Sequence, residues 1–230
     1  MRDMKYELFL FDADDTLFDF RTSERSAFHE TLAAYGMQAR WEILYAVYRE
    51  VSLELWKLFE DGLISKSELR AQRFQQVFAK ENLSSDHLQQ ISEHYMGVIS
   101  GHAHLRANAV EVCKLLKPVA KIGIVTNGME SVQRSRLMKS ELARLIDFLV
   151  VSEECGFPKP APGIFEYSLK KAGHRDKESV LMVGDRLETD IKGGNDFGID
   201  TAWLNWEKAP RTLPISPTYE ICDLLELVQW

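Results

Sequence analysis

The sequence predicts an α/β protein: a doubly wound, Rossmann-like parallel sheet core with an inserted α-helical cap domain. Three observations carry that expectation. Short apolar runs alternate with helical segments in the C-terminal half. The stretch from about residue 19 to 104 has helical spacing throughout. Four of the apolar runs end in, or are followed by, chemically pointed residues. The expected core is therefore residues 1–18 together with 105–230, and the expected cap is residues 19–104.

Residues 6–11 (YELFLF) form a short apolar run halted by Asp12, the pattern of a buried strand ending in a functional turn. From Thr22 the period becomes helical: Trp41, Leu44, Tyr48, Val51, Leu55 and Leu58 recur on one face. Ser65 and Glu68 have the spacing of a capping box, in which each side chain satisfies a backbone N–H left open at a helix start. Four helices and no strand are expected in this region. After Leu105 strand-like runs return: KIGIVTN from Lys121, DFLVVS from Asp147, SVLMVGD from Ser179 and TAWLN from Thr201. Helices are expected near residues 107–116, 131–139, 162–172 and 189–197. Continuously apolar strands need cover on both faces, which intervening helices supply, so the sheet should be parallel. Residues 210–217 carry three prolines and read as a loop.

The chain has 230 residues, 45% of them apolar, enough for one substantial core with an insertion. A formal charge of −7 argues against a nucleic-acid polymer as partner, because such binding draws its affinity from basic patches. A local cluster of cations can still hold a small anion. Cys113, Cys155 and Cys222 are odd in number and lack metal-ligand spacing, as in ordinary thiols of a reducing compartment. The start of the chain does not read as a signal peptide and no stretch reads as a membrane span, so a cytoplasmic protein without a membrane partner is expected.

In open α/β sheets ligands bind beyond the carboxyl ends of the strands. The first strand ends in FDADDT, with Asp12, Asp14 and Thr16, and the second in Thr126 and Asn127. Lys159 lies in the loop after the third, and the fourth ends in GDRLETD, with Asp185 and Asp190. Singly, each has an ordinary explanation. An acidic turn can be merely solvated, and a lysine can be a surface cation. Asp190 suits a first helical turn, and Asn127-Gly128 suits a simple turn. Four pointed strand ends around one crevice favour chemistry. Pro160 and Pro162 fix the loop that carries Lys159 by favouring a helix start there.

The order DxDxT, Thr-Asn-Gly, Lys before a helix, and GDxxxxD resembles the haloacid dehalogenase-like (HAD) superfamily, over the whole chain. The resemblance implies that Asp12 attacks phosphorus to give an aspartyl phosphate. It implies that Asp14 is the acid for the leaving oxygen and then the base for water. It implies Mg²⁺ held by Asp12, the main-chain carbonyl of Asp14, and Asp185, with Asp190 holding the metal's waters or Lys159. The charges then balance: Asp12, Asp185 and Asp190 offset the metal and Lys159, with Asp14 protonated. Thr126 and Asn127 would bind the phosphoryl oxygens, since phosphoryl transfer depends mostly on positioning and charge stabilisation.

Within the superfamily, the resemblance implies that retention of Asp14 favours phosphate esters over the dehalogenase and phosphonatase branches, with mutases still open. A helical cap after the first motif implies a small phosphorylated metabolite. The segments FDADDTLFDF, LWKLFEDGLISKSELRAQRF, KIGIVTNG, FLVVSEECGFPKPAPGIF and VLMVGDRLETDIKGG resemble the bacterial pyrimidine-nucleotide 5′-nucleotidases, whose substrates are nucleoside monophosphates. The Phe157-Pro158 pair before Lys159 departs from that pattern. In the cap, Trp56, Phe59 and Phe74 could stack on a base and Arg70 or Arg73 could meet a polar edge; the same residues equally suit a helix core and a solvated face. A sugar-phosphate phosphatase or mutase, and a catalytically idle binding protein, are the alternatives.

Overall fold

All four side chains of β1 (Leu8–Phe11) are buried, although successive residues of a strand point to opposite faces. That is possible only in a sheet covered on both sides. In the computed structural model, which describes residues 4–211 and 213–229, this is what surrounds it. On one face Phe9 and Phe11 join Ile122, Ile124, Leu181 and Val183 under α5 (Ala109–Leu116). On the other, Leu8 and Leu10 join Val125, Val150, Val180 and Met182 against α8 (Pro162–Ala172).

Among the described residues the sheet has six strands in the order β3-β2-β1-β4-β5-β6, every pairing parallel. The others are β2 (Lys121–Thr126), β3 (Phe148–Val151), β4 (Val180–Gly184), β5 (Asp200–Leu204) and β6 (Tyr219–Ile221). β1 pairs with both β2 and β4, so the strand order reverses beside it, which is where ligands of such sheets collect. The doubly wound, Rossmann-like α/β class is as expected. β6 was not anticipated; it is three residues long and follows the proline-containing stretch 210–217, which is described except at position 212. The chain start, on which the targeting expectation rests, lies outside the described residues up to position 3. No helix among the described residues is long and apolar enough to cross a membrane. The three cysteines are free thiols.

The chain divides into two compact units, one ending its first segment at Phe20 and resuming at Ala103, the other spanning Arg21–His102. The second unit is helical, with α1 (Phe20–Ala34) leading into α2 (Trp41–Glu60), α3 (Lys66–Lys80) and α4 (Leu88–Ile99). Ser65 caps α3 reciprocally with Glu68, as the spacing implied. The interior of this unit is aromatic: Phe28, Tyr48, Phe74 and Tyr95 have ring centroids 4.7 to 6.0 Å apart. Glu24, almost fully buried, is held by Arg49 at 2.9 Å.

Candidate active site

After β1 the chain turns sharply. Leu17 and Phe18 both donate main-chain hydrogen bonds to the carbonyl of Ala13, and Asp15 donates to that of Phe18. Asp15 sits at φ +59°, a left-handed conformation that a short polar side chain tolerates. This turn leaves Asp12 at the strand end, its N–H still paired with the carbonyl of Val183 on β4. Its side chain is 11% exposed.

Lys159 comes from the loop before α8 and is 2% exposed. Its Nζ donates to Asp12 at 2.5 Å and pairs with Asp190 at 2.7 Å. Asp190 lies in a π-helical turn, Leu187–Ile191, in which Ile191 N–H reaches back to the Arg186 carbonyl; such turns recur at functional sites. The other Asp190 oxygen accepts from Arg186 N–H at 3.1 Å. Gly184 is required here, because a Cβ at that position would meet Asp190 Oδ2 at 2.2 Å. Asp185 follows β4; its Oδ1 accepts from Thr16 at 3.3 Å, and its carbonyl accepts from the Trp203 indole at 2.8 Å. The loops after β1, β3 and β4 thus supply the group.

Asp12, Asp185 and Asp190 each place an oxygen within 4.8 Å of the others. Burial pushes Asp12 up to about 7, helped by Asp190 and Asp14 and opposed by Lys159. Burial and the carboxylates of Asp12, Asp190 and Asp15 push Asp185 well above the usual carboxylate range. Burial works against the charge of Lys159, but its ion pairs to Asp12 and Asp190 outweigh that and hold it above an ordinary lysine. Three carboxylates against one lysine leave the cluster short of positive charge. A hard divalent cation fits that deficit and this oxygen donor set.

The remaining expected residues fall as follows. Thr126, 1% exposed, accepts from Gly128 N–H at 3.0 Å, which leaves its hydroxyl proton able to donate. Asn127, expected to bind the phosphate, has its side chain engaged with the loop of Lys159. Its Nδ2 donates to the Lys159 carbonyl at 2.9 Å and its Oδ1 accepts from Lys159 N–H at 2.8 Å, so it fixes the loop that carries the lysine. Asp14 accepts from Arg136 at 2.5 Å and from Gln133 at 2.6 Å. Neither partner stood out in the sequence; the available signal was the polar sequence ESVQRSRLMK of α6 (Glu130–Lys139), whose buried face must include Gln133 and Arg136.

In the helical unit, Trp56 and Phe59 are partly exposed and packed edge to face, centroids 5.8 Å apart. Arg73 and Phe74 are instead part of the interior. Arg73 donates to Tyr48 at 3.0 Å and lies 5.7 Å from the Tyr95 ring, and Phe74 is 2% exposed. Arg73 as a surface contact for substrate is therefore corrected: its place on the helix is the buried one, where a guanidinium satisfies the tyrosine hydroxyl. Arg70 is exposed. A pocket not singled out from sequence is lined by Arg21, Arg25, Trp41 and Tyr45 on the same unit.

The family model for haloacid dehalogenase-like hydrolases matches residues 6–198. The chain belongs to the haloacid dehalogenase-like hydrolases. Pyrimidine 5′-nucleotidase YjjG of Escherichia coli is 34% identical over 98% of both chains. Pyrimidine 5′-nucleotidase PynA of Streptococcus pneumoniae is 30% identical over 98% of this chain and 94% of its own. Among solved structures, the HAD hydrolase YfnB of Bacillus subtilis, bound to magnesium, matches with TM-score 0.90 and 31% identity over 98% of both chains. The L-2-haloacid dehalogenase of Xanthobacter autotrophicus, at TM-score 0.76 and 19% identity over 97% of both chains, shares the fold.

Proposed function

We propose that this HAD hydrolase is a magnesium-dependent phosphatase that acts on nucleoside 5′-monophosphates with pyrimidine bases, and that its helical unit serves as the cap. The observation that carries the chemistry is the buried cluster itself: Lys159 bridging Asp12 and Asp190, beside Asp185, where the strand order reverses. The substrate class is supported by the two pyrimidine 5′-nucleotidases that match this chain almost end to end.

In this reading an Asp12 oxygen attacks phosphorus, and the bond from phosphorus to the ester oxygen breaks. Asp14 gives its proton to that leaving oxygen. It then takes a proton from water, whose oxygen attacks phosphorus and breaks the bond to Asp12. Lys159 holds the nucleophile by its Oδ1 and offsets part of the charge that repels an incoming phosphate dianion. Asp12 and Asp185 would hold Mg²⁺, with Asp190 supporting Lys159. The ion supplies the further positive charge that brings phosphate and carboxylate together. The Thr126 hydroxyl donates to a phosphoryl oxygen, and Asn127 keeps Lys159 in place.

The test is phosphate release from uridine, thymidine, adenosine and hexose monophosphates, ranked by kcat/KM. The pyrimidine nucleotides should lead. A clear preference for hexose phosphates would move the chain to the sugar-phosphate branch and leave the core chemistry standing.

A further inference from the structure

The side chain of Asp14 is gripped at both ends by residues of the helix that follows β2. Arg136 Nη1 donates to Oδ1 at 2.5 Å and Gln133 Nε2 donates to Oδ2 at 2.6 Å. The two donors are three residues apart on α6, so they share a face and act on one carboxylate together.

Both donors are buried, Arg136 completely and Gln133 to 3% exposure, whereas the Asp14 side chain is 26% exposed. A buried guanidinium is costly to desolvate and needs compensation. Here that comes from Asp14 and from two aromatic faces, Phe18 at 4.6 Å and Phe20 at 5.4 Å from the guanidinium carbon. Phe18 belongs to the turn that begins at Asp12 and Phe20 opens α1 directly after it, so Arg136 lies between the carboxylate it holds and the chain just after that carboxylate. Gln133 is placed as tightly. A Cβ on residue 128 would meet its Nε2 at 2.1 Å, so Gly128 leaves the space through which the amide reaches Asp14. A surface ion pair would show none of this: it is screened, mobile and worth little.

We infer that Arg136 and Gln133 are positioning residues that aim the Asp14 carboxylate at the reacting ester. Each carboxylate oxygen spends one lone pair on its donor and keeps another, and the exposed edge of Asp14 is the part left for proton transfer. Two donors at two different oxygens fix the plane of the group as well as its distance, which one donor cannot do. A general acid is worth about 10²–10⁴-fold in rate, and only from the right position. The inference rests on the reading of Asp14 as the acid and base.

The test is single-turnover phosphorylation by the magnesium-loaded enzyme, comparing a nucleoside monophosphate with nitrophenyl phosphate, whose leaving group departs without a proton. Gln133→Met keeps the length and removes the donor; Arg136→Lys keeps the charge and loses the stacked, planar fork. Each should slow the nucleotide about tenfold to a hundredfold while slowing nitrophenyl phosphate less than about threefold, with the loss in the maximal single-turnover rate and not in the concentration that half-saturates it. Equal losses on both substrates, or no loss in a folded variant, would overturn the inference. Asp14→Asn separates the two levels. If it lacks the leaving-group signature, the reading of Asp14 falls. If it has that signature and Gln133→Met does not, the positioning role alone falls. Should Arg136→Lys not fold, Gln133→Met decides.

Discussion

Lys159→Met is the substitution whose cost the structure specifies most fully. Methionine keeps the unbranched stem and most of the volume, so packing changes little. What disappears is a buried cation held at 2.5 Å by Asp12 and 2.7 Å by Asp190, whose side chains are 11% and 1% exposed. Removing one partner of a buried ion pair leaves uncompensated charge and costs about 3–5 kcal/mol. For a domain whose whole stability is about 5–15 kcal/mol this is a large share. The loss should depend on pH. Lys159 opposes the burial of Asp12 and holds it down to about 7; without the lysine Asp12 must take up a proton to stay buried at pH 8, whereas at pH 5 it already carries one. Urea unfolding of the metal-free protein, followed by near-ultraviolet circular dichroism, is the assay. At pH 8 the midpoint should fall by about 1–2 M, taking a urea slope of about 2–3 kcal/mol/M for a chain of this size. At pH 5 the shift should be smaller. A loss below about 1 kcal/mol at pH 8, in a variant with native spectra, would refute the paired-cation argument.

The metal-free protein should itself lose stability as pH rises. The folded Asp12 group sits at about 7 against 3.8 for the free side chain, so the folded state binds the extra proton. The stabilisation from that proton is present in full below 3.8 and is gone once pH passes 7. Thermal melts without metal should show that fall between those pH values, and Mg²⁺ should restore more stability at pH 8 than at pH 5; equal restoration at both would contradict the shared site. Chelation should likewise abolish phosphate release, and added Mg²⁺ should bring it back; full activity in excess chelator with no bound metal would count against the ion. In the helical unit, Trp56→Ala and Phe59→Ala should lower kcat/KM for pyrimidine nucleotides about tenfold to a hundredfold, the loss of about 1–3 kcal/mol of base stacking, and spare nitrophenyl phosphate. A uniform loss across substrates would assign these rings to packing of α2.

Much of this was legible because strong signals are local. The apolar runs that became β1, β3 and β4 ended in, or just ahead of, the residues that the fold gathers into one cluster, so Asp12, Lys159, Asp185 and Asp190 stood out by position alone. Ser65 and Glu68 declared a helix start through spacing alone. What was not legible has a common cause: it concerns which partner a side chain meets at long range. Asn127 carries the same donors and acceptors whether it meets a phosphate or the main chain of Lys159, and only the fold brings residue 159 to it. Arg73 lies at a helical position that reads equally as surface or interior; the Tyr48 hydroxyl that receives it is 25 residues away. Gln133 and Arg136 lie more than a hundred residues from Asp14, on a helix with few apolar side chains, and no local pattern marks them. β6 was missed because its three residues are too few for a period to show.

The central claim is that Asp12 becomes covalently phosphorylated, and it can be tested at that atom. Magnesium-loaded enzyme is mixed with excess substrate, quenched in acid during turnover, treated with borohydride and digested for mass spectrometry. Borohydride reduces an acyl phosphate to the alcohol, so the account predicts homoserine at position 12 in the substrate-treated sample and not in the control. Asp12→Asn should fold, bind Mg²⁺ weakly, release no phosphate and give no reduced product. Turnover retained by a metal-loaded Asp12→Asn protein, or reduction found at another carboxylate while Asp12 stays intact, would contradict it.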